Sequence, residues 1–263
     1  MPPIALLNLL SIGIVLVAAA ALLACRPASR KSAGIFLTAL LLFVMLPIDD
    51  LALTIVTRSV SIRYDQYVFC FDQFFGSPSF ALGRAFLQLP WLKNLSMYPY
   101  VLVPSVCLAL AVLRFSLLSM EEAVCYVRTI FLSGVMAYPL YAVFPVAGPR
   151  YAFPSFPFGA PAHLMPQTIH LLAVPNGVPS VHMTLAILIL WFSRPWKLGR
   201  VFGAIFVLLT MASTMGSGEH YLLDLLVAVP YSALVIYVGG YSRAVTEKNA
   251  APVVALRAGV PTD

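Results

Sequence analysis

Residues 97–118 read MYPYVLVPSVCLALAVLRFSLL, with Arg114 the single charge. A stretch of that length and polarity suits a helix across bilayer hydrocarbon, which takes about 20 mostly apolar residues. Working outward, six further stretches have the same character: 4–24, 33–46 or beyond, 124–147, 178–191, 198–215 and 221–240. The pattern predicts an all-α fold, a polytopic transmembrane helix bundle of about seven spans with a core of five to six. Composition agrees. Of 263 residues, 61% are hydrophobic and 10% charged, whereas soluble domains run at about a quarter charged. No soluble fold of this length hides so much apolar surface.

Three regions follow: N-terminal spans with an aromatic loop (1–96), a catalytic transmembrane bundle (97–240), and a polar tail (241–263). Leu22-Leu23-Ala24-Cys25 has the look of a lipoprotein cleavage box. Yet the basic residues Arg26, Arg30 and Lys31 follow the apolar run instead of preceding it, so the run reads as a span and not as a signal peptide. The other cysteines, Cys70, Cys107 and Cys125, form no CxxC pair and no visible disulfide framework.

The net charge of +6 does not point to nucleic acid, because the cations sit between apolar runs, where they set topology. Eleven of the 16 Lys and Arg fall at one end of the spans, with the C-terminus; five fall at the other, over two much longer loops. The positive-inside rule puts the basic end and the C-terminus in the cytoplasm, and the N-terminus and long loops outside.

The first long loop, 49–96, holds nine aromatic residues from Tyr64 to Trp91, a density that suits the membrane interface. Its segment 79–94 reads as a short helix in the interface plane, limited by Pro90. Asp49 and Asp50 read as the interfacial end of the second span. The second loop, 148–179, has seven prolines and reads as an irregular cap over something. His163 and His170 within it read as structural.

The unusual polar residues gather at the ends of four consecutive spans on the long-loop side. Arg150 follows one. Ser180 and His182 open the next. Ser213 and Thr214 end another, and Glu219, His220 and Asp224 open the last. His220 and Asp224, four apart, share a helix face. There a carboxylate can fix the imidazole tautomer and stabilise its cation, the orienting role in nucleophile activation. Such polar contacts glue membrane helices by only about 0.6 kcal/mol, little return for burying an acid. His182 lies in a first turn, where backbone N–H groups favour an anion. Arg150 suits bidentate phosphate binding. Gly216-Ser217-Gly218 permits a tight turn, and Glu219 reads as a first-turn acid.

At these residues the sequence resembles the type 2 phosphatidic acid phosphatase superfamily, over roughly 140–240. Pro179-Ser180-Val181-His182 is similar to that family's Pro-Ser-Gly-His motif, with Val181 for Gly. Ser213, then His220 and Asp224, is similar to its Ser-Arg…His…Asp motif, with Thr214 for Arg. Pro149-Arg150 is similar to the end of its Lys…Arg-Pro motif, without the lysine. With two cations missing, His-Tyr-x-x-Asp looks like the inositol phosphorylceramide synthase branch, which moves a head group between lipids. The resemblance implies a lipid phosphatase or head-group transferase with His220 as nucleophile, Asp224 orienting it and His182 as acid and base. Arg150, Ser180 and Ser213 would hold phosphate. No cofactor or metal is implied; the partners are a membrane lipid phosphate or phospholipid and the bilayer.

The alternative is a non-catalytic lipid-phosphate binding protein or a transporter. A transporter's polar groups and broken helices belong nearer the midplane. A zinc site of His182, Glu219, His220 and Asp224 is weakened because adjacent Glu219 and His220 point apart on a helix. Ser180 and Ser217 lack the surroundings of a protease nucleophile.

Overall fold

The computed structural model describes residues 30–159 and 165–240, with isolated positions between 12 and 20. Most of the expected first span, Cys25, His163 and the tail at 241–263 lie outside the described residues.

Helix α1, Arg30–Ser59, runs through Pro47. Hydrocarbon offers no water to a broken backbone, so a helix is retained across a proline. Asp49 and Asp50 therefore stand inside α1 and not at its end, a correction to the sequence expectation. A strand β1, Ile62–Arg63, leads to the short helices α2, Asp65–Phe74, and α3, Pro78–Gln88. Pro90 ends α3 by opening the next helix, α4, Pro90–Leu117, because proline is suited to a first helical position. Next come α5, Met120–Val135, and α6, Ala137–Val143, which together cover one span with a break at Met136. The loop beyond holds a single turn, α7, Pro149–Ala152, and a strand β2, Ile169–His170. The chain ends with α8, Val181–Ser193, α9, Lys197–Gly216, and α10, Leu222–Val238.

Four stretches among the described residues are long and apolar enough to cross a bilayer: α1, α4, α5–α6 and α9; α8 and α10 are shorter apolar helices. The all-α membrane bundle is thus as the sequence predicts. Its inner core is built by α4, α5, α8 and α9 around Val103, Leu110, Tyr126, Ile189, Phe192 and Phe206. Phe36, Leu40, Leu51 and Ile55 of α1 are exposed, an apolar surface that only lipid makes tolerable.

Three helices end at the basic end of the bundle, and each end meets a cation. Lys31 Nζ donates to the Leu118 carbonyl at 3.1 Å, Arg114 Nη1 to Phe192 at 2.6 Å and Arg128 Nε to Gly239 at 2.8 Å. Cations there satisfy free carbonyls and oppose the negative dipole end. By the same geometry, the N-termini of α4, α8 and α10 gather at the opposite end.

That opposite end carries a second core. Phe74, Phe75 and Trp91 are exposed, as expected of an interfacial loop. Val68 and Phe69 of α2 and Phe80 of α3 instead turn inward onto Val146, Phe153, Val178 and Tyr221. The Phe69 ring centre lies 5.2 Å from Phe80 and 4.7 Å from Phe153. Phe86 of α3 packs so tightly on Gly216 that a Cβ there would collide with its ring. The expected interfacial helix is thus folded onto α9. The proline-rich loop is stitched down: β1 pairs antiparallel with β2, and fully buried Arg63 donates to the Ala173 carbonyl at 2.8 Å.

Candidate active site

The start of α10 sets the first pair. Gly218 takes a φ of +75°, a left-handed turn that costs glycine little, and delivers His220 and Tyr221 to the helix mouth. The His220 amide donates to the Thr214 carbonyl at 3.1 Å, which fixes the turn onto α9. His220 Nδ1 lies 3.1 Å from Asp224 Oδ2, and both side chains are almost wholly buried. With Nδ1–H donating to the carboxylate, Nε2 keeps its lone pair. The same Oδ2 accepts the Tyr221 amide at 2.9 Å. Asp224 therefore caps its helix, the third-position acid reaching back to the N-cap amide, while it orients the histidine. Its Oδ1 is buried and has no partner among the described residues.

Helix α8 brings the second histidine. Ser180 is its N-cap and accepts the Met183 amide at 3.3 Å. The Ser180 amide donates to the Asp224 carbonyl at 3.3 Å, tying the starts of α8 and α10 together. His182 follows in the first turn of α8, at the end of the bundle where the starts of α8 and α10 are tied. Its ring is held by Tyr100 of α4, stacked at a centroid distance of 4.1 Å and an interplanar angle of 8°. Tyr100 carries no sequence signature for this role; only its place near the long-loop end of α4 could have suggested it.

Arg150 reaches the same mouth from α7. Its Nη1 is 2.6 Å from Glu219 Oε1, with the guanidinium about half exposed. Tyr151 donates to Glu219 Oε2 at 3.1 Å, and the Arg150 amide donates to the Gly218 carbonyl at 3.0 Å. Glu219 precedes α10 and is the ion partner of Arg150, not a first-turn acid. Gly148, at a φ of +108°, lets this loop approach; a Cβ there would strike the Glu219 carbonyl. Ser213 is buried, and its hydroxyl donates to Met97 Sδ at 3.3 Å, toward α4. The described residues give it no bond to either histidine.

Two acids missed by sequence reasoning support this arrangement. Asp65 accepts the amides of Ala147 and Gly148 at 3.0 and 2.8 Å and the Tyr221 hydroxyl at 3.0 Å. Asp72 accepts the Leu222 amide at 2.8 Å and the Ser79 hydroxyl at 2.7 Å. One acid holds the Arg150 loop; the other caps the helix that carries Asp224. Burial pushes each carboxyl up to about 6, although the donated hydrogen bonds pull the other way. Their signal lay in spacing. Asp65, Val68, Phe69 and Asp72 fall on one face of α2 and are all buried. Among the described residues, no three His, Cys, Asp or Glu side chains are grouped to hold a metal ion.

The fold and this mouth define an all-α membrane protein with a buried His–Asp pair facing a second histidine. A family model described as the PAP2 superfamily matches residues 68–238, more than half the chain, and the chain belongs to that superfamily. The match is wider than the 140–240 resemblance read from the motifs and takes in Asp72. Membership points to phosphatase-type chemistry in a lipid setting. Comparison with curated proteins and with solved structures gave no significant match.

Proposed function

We propose that the chain is an integral-membrane lipid phosphotransferase or phosphatase working through a phospho-histidine. The observation that carries this is the buried hydrogen bond between His220 and Asp224, with His182 in the first turn of α8, whose start is tied to Asp224 through the Ser180 amide. His220 Nε2 attacks phosphorus and the P–O bond to the leaving alcohol breaks. His182 gives its proton to that oxygen. It then takes a proton from the incoming water or alcohol, whose oxygen displaces His220. Asp224 holds the tautomer and stabilises the cationic ring. Arg150 binds phosphate oxygens, helped by the first N–H groups of α8, which Ser180 caps. Ser213 joins them by turning its hydroxyl away from Met97.

Within that reading, a phosphodiester substrate, with transfer of a phosphoinositol-type head group between lipids, is favoured over a phosphomonoester. Thr214 replaces one cation of the family pattern, and Arg150 is already paired with Glu219. A diester carries less charge and needs fewer cations. By the charge rule, the site is extracytoplasmic and the C-terminus cytoplasmic.

The test compares wild type with His220→Ala in detergent, given a labelled lipid phosphomonoester and a labelled phosphodiester with a lipid alcohol acceptor. Wild type is expected to turn over the diester faster and to form an acid-labile labelled protein; His220→Ala does neither. Equal behaviour of the two proteins on every substrate defeats the reading in favour of lipid binding or transport.

A further inference from the structure

One donor at the mouth has no role in the transfer chemistry so far. Tyr151 follows Arg150 in α7, and its side chain is partly exposed. Its hydroxyl donates to Glu219 Oε2 at 3.1 Å, while Arg150 Nη1 donates to Glu219 Oε1 at 2.6 Å. The Arg150 guanidinium also lies over the Tyr151 ring, 4.8 Å from its centre. That cation–π contact keeps the two donors side by side. One carboxylate therefore offers its two oxygens to two neighbouring donors, one charged and one neutral. Glu219 immediately precedes His220, and the Thr214 carbonyl accepts both their amides, at 3.0 and 3.1 Å. The anion held by Arg150 and Tyr151 thus belongs to the residue next to His220.

A carboxylate and a phosphate group present the same face to such donors: two acceptor oxygens that share negative charge. The Arg150–Glu219 pair is partly open to solvent, and exposed ion pairs hold by only about 0–1 kcal/mol. Thr214, at the position of the family's second cation, cannot fill the gap. It is buried, and its hydroxyl donates back to the Thr210 carbonyl at 2.9 Å. We propose that Tyr151 is a substrate-binding residue: an arriving phosphate takes the place of the Glu219 carboxylate, and the Tyr151 hydroxyl donates to one of its oxygens while Arg150 holds another. The inference rests on the phosphoryl-transfer reading of the mouth and adds a neutral donor to its phosphate site.

The competing role for Tyr151 is a tether that only keeps Glu219 on Arg150. Binding of inorganic phosphate to the full-length protein in detergent, measured by calorimetry, separates the two without any turnover. Glu219→Ala is expected to bind phosphate tighter than wild type, because the internal anion is gone. Adding Tyr151→Phe to Glu219→Ala is expected to weaken binding by about tenfold, the scale of one hydrogen bond to a charged group. Phenylalanine keeps the ring under Arg150, so the loss is that of the hydroxyl alone. Tyr151→Phe by itself removes a donor from both anions and is expected to change phosphate binding little. The proposal is overturned if Glu219→Ala binds phosphate no tighter, if Tyr151→Phe costs nothing in that background, or if Tyr151→Phe alone tightens binding as a lost tether would. Turnover of a lipid phosphate by the same proteins is the separate arm. Phosphate binding that depends on Tyr151, without any turnover, retires the phosphoryl-transfer reading and leaves an anion site. Turnover by Glu219→Ala with a KM that Tyr151→Phe does not move does the reverse.

Discussion

Asp72 and Leu222 lie 150 residues apart in the chain, yet the carboxylate of one accepts the amide of the other at 2.8 Å. Through that bond a helix of the aromatic loop caps the helix that holds Asp224. Removing a capping acceptor costs about 0.5–2 kcal/mol, and Asp72→Ala also strips Ser79 of its buried partner. The variant is expected to unfold at a lower temperature in detergent and to lose activity. Asp72→Asn keeps an acceptor and is expected near wild type in both assays. If Asp72→Ala matches wild type, the bond does not position the site.

The same acid and Asp65 give the fold a pH dependence. Both carboxyls are pushed up to about 6 by burial. In the unfolded chain an aspartate titrates near about 3.9. Between those values the folded protein binds more protons than the unfolded one. The stability from these groups is therefore complete below about 4 and lost as pH rises through about 6. The double variant Asp65→Asn, Asp72→Asn lacks this dependence. Its melting temperature relative to wild type is expected to climb from pH 4 to pH 7. A constant difference across that range refutes the assignment.

The His–His–Asp mouth was legible in the sequence because its parts are local. The spacing of four brings His220 to Asp224, although His220 stands just before the N-cap Tyr221 and not on a face of α10 as the sequence suggests, and His182 sits in a first turn behind a serine cap. The bundle was legible for a similar reason, since apolar length answers to bilayer thickness. What stayed hidden depends on packing across the chain. Phe69 and Phe80 look like interfacial aromatics until α2 and α3 fold over Tyr221. Asp65 and Asp72 look like loop acids, although their spacing with Val68 and Phe69 already described one buried face. Asp49 and Asp50 read as the interfacial end of the second span until α1 continued past them to Ser59.

Glu219 holds Arg150 at 2.6 Å in a pair that is partly open to solvent. Such exposed pairs contribute only about 0–1 kcal/mol, so an arriving phosphate can displace the carboxylate. Glu219→Gln is expected to leave stability nearly unchanged and to tighten inhibition by vanadate, because Arg150 is then free for the anion. Arg150→Ala is expected to weaken vanadate by about tenfold, the loss of one charged hydrogen bond. Inhibition curves for the two variants moving in the same direction would contradict this arrangement.

Tyr100 and His182 stack nearly parallel at 4.1 Å. Ring stacking is worth about 0.5–1.5 kcal/mol beyond burial, enough to hold the imidazole of His182 in one orientation across from His220. Tyr100→Phe keeps the ring, and is expected to retain most of kcat. Tyr100→Ala frees the imidazole, and kcat is expected to fall by about tenfold, the scale of a misplaced catalytic group. Because His182 serves both the leaving and the incoming oxygen, its looser hold is also expected to broaden the pH–rate profile on both limbs. Labelling of His220 by a substrate with a good leaving group needs no proton from His182, and should survive in Tyr100→Ala. If that labelling disappears with turnover, Tyr100 shapes the whole mouth and not the placement of His182 alone.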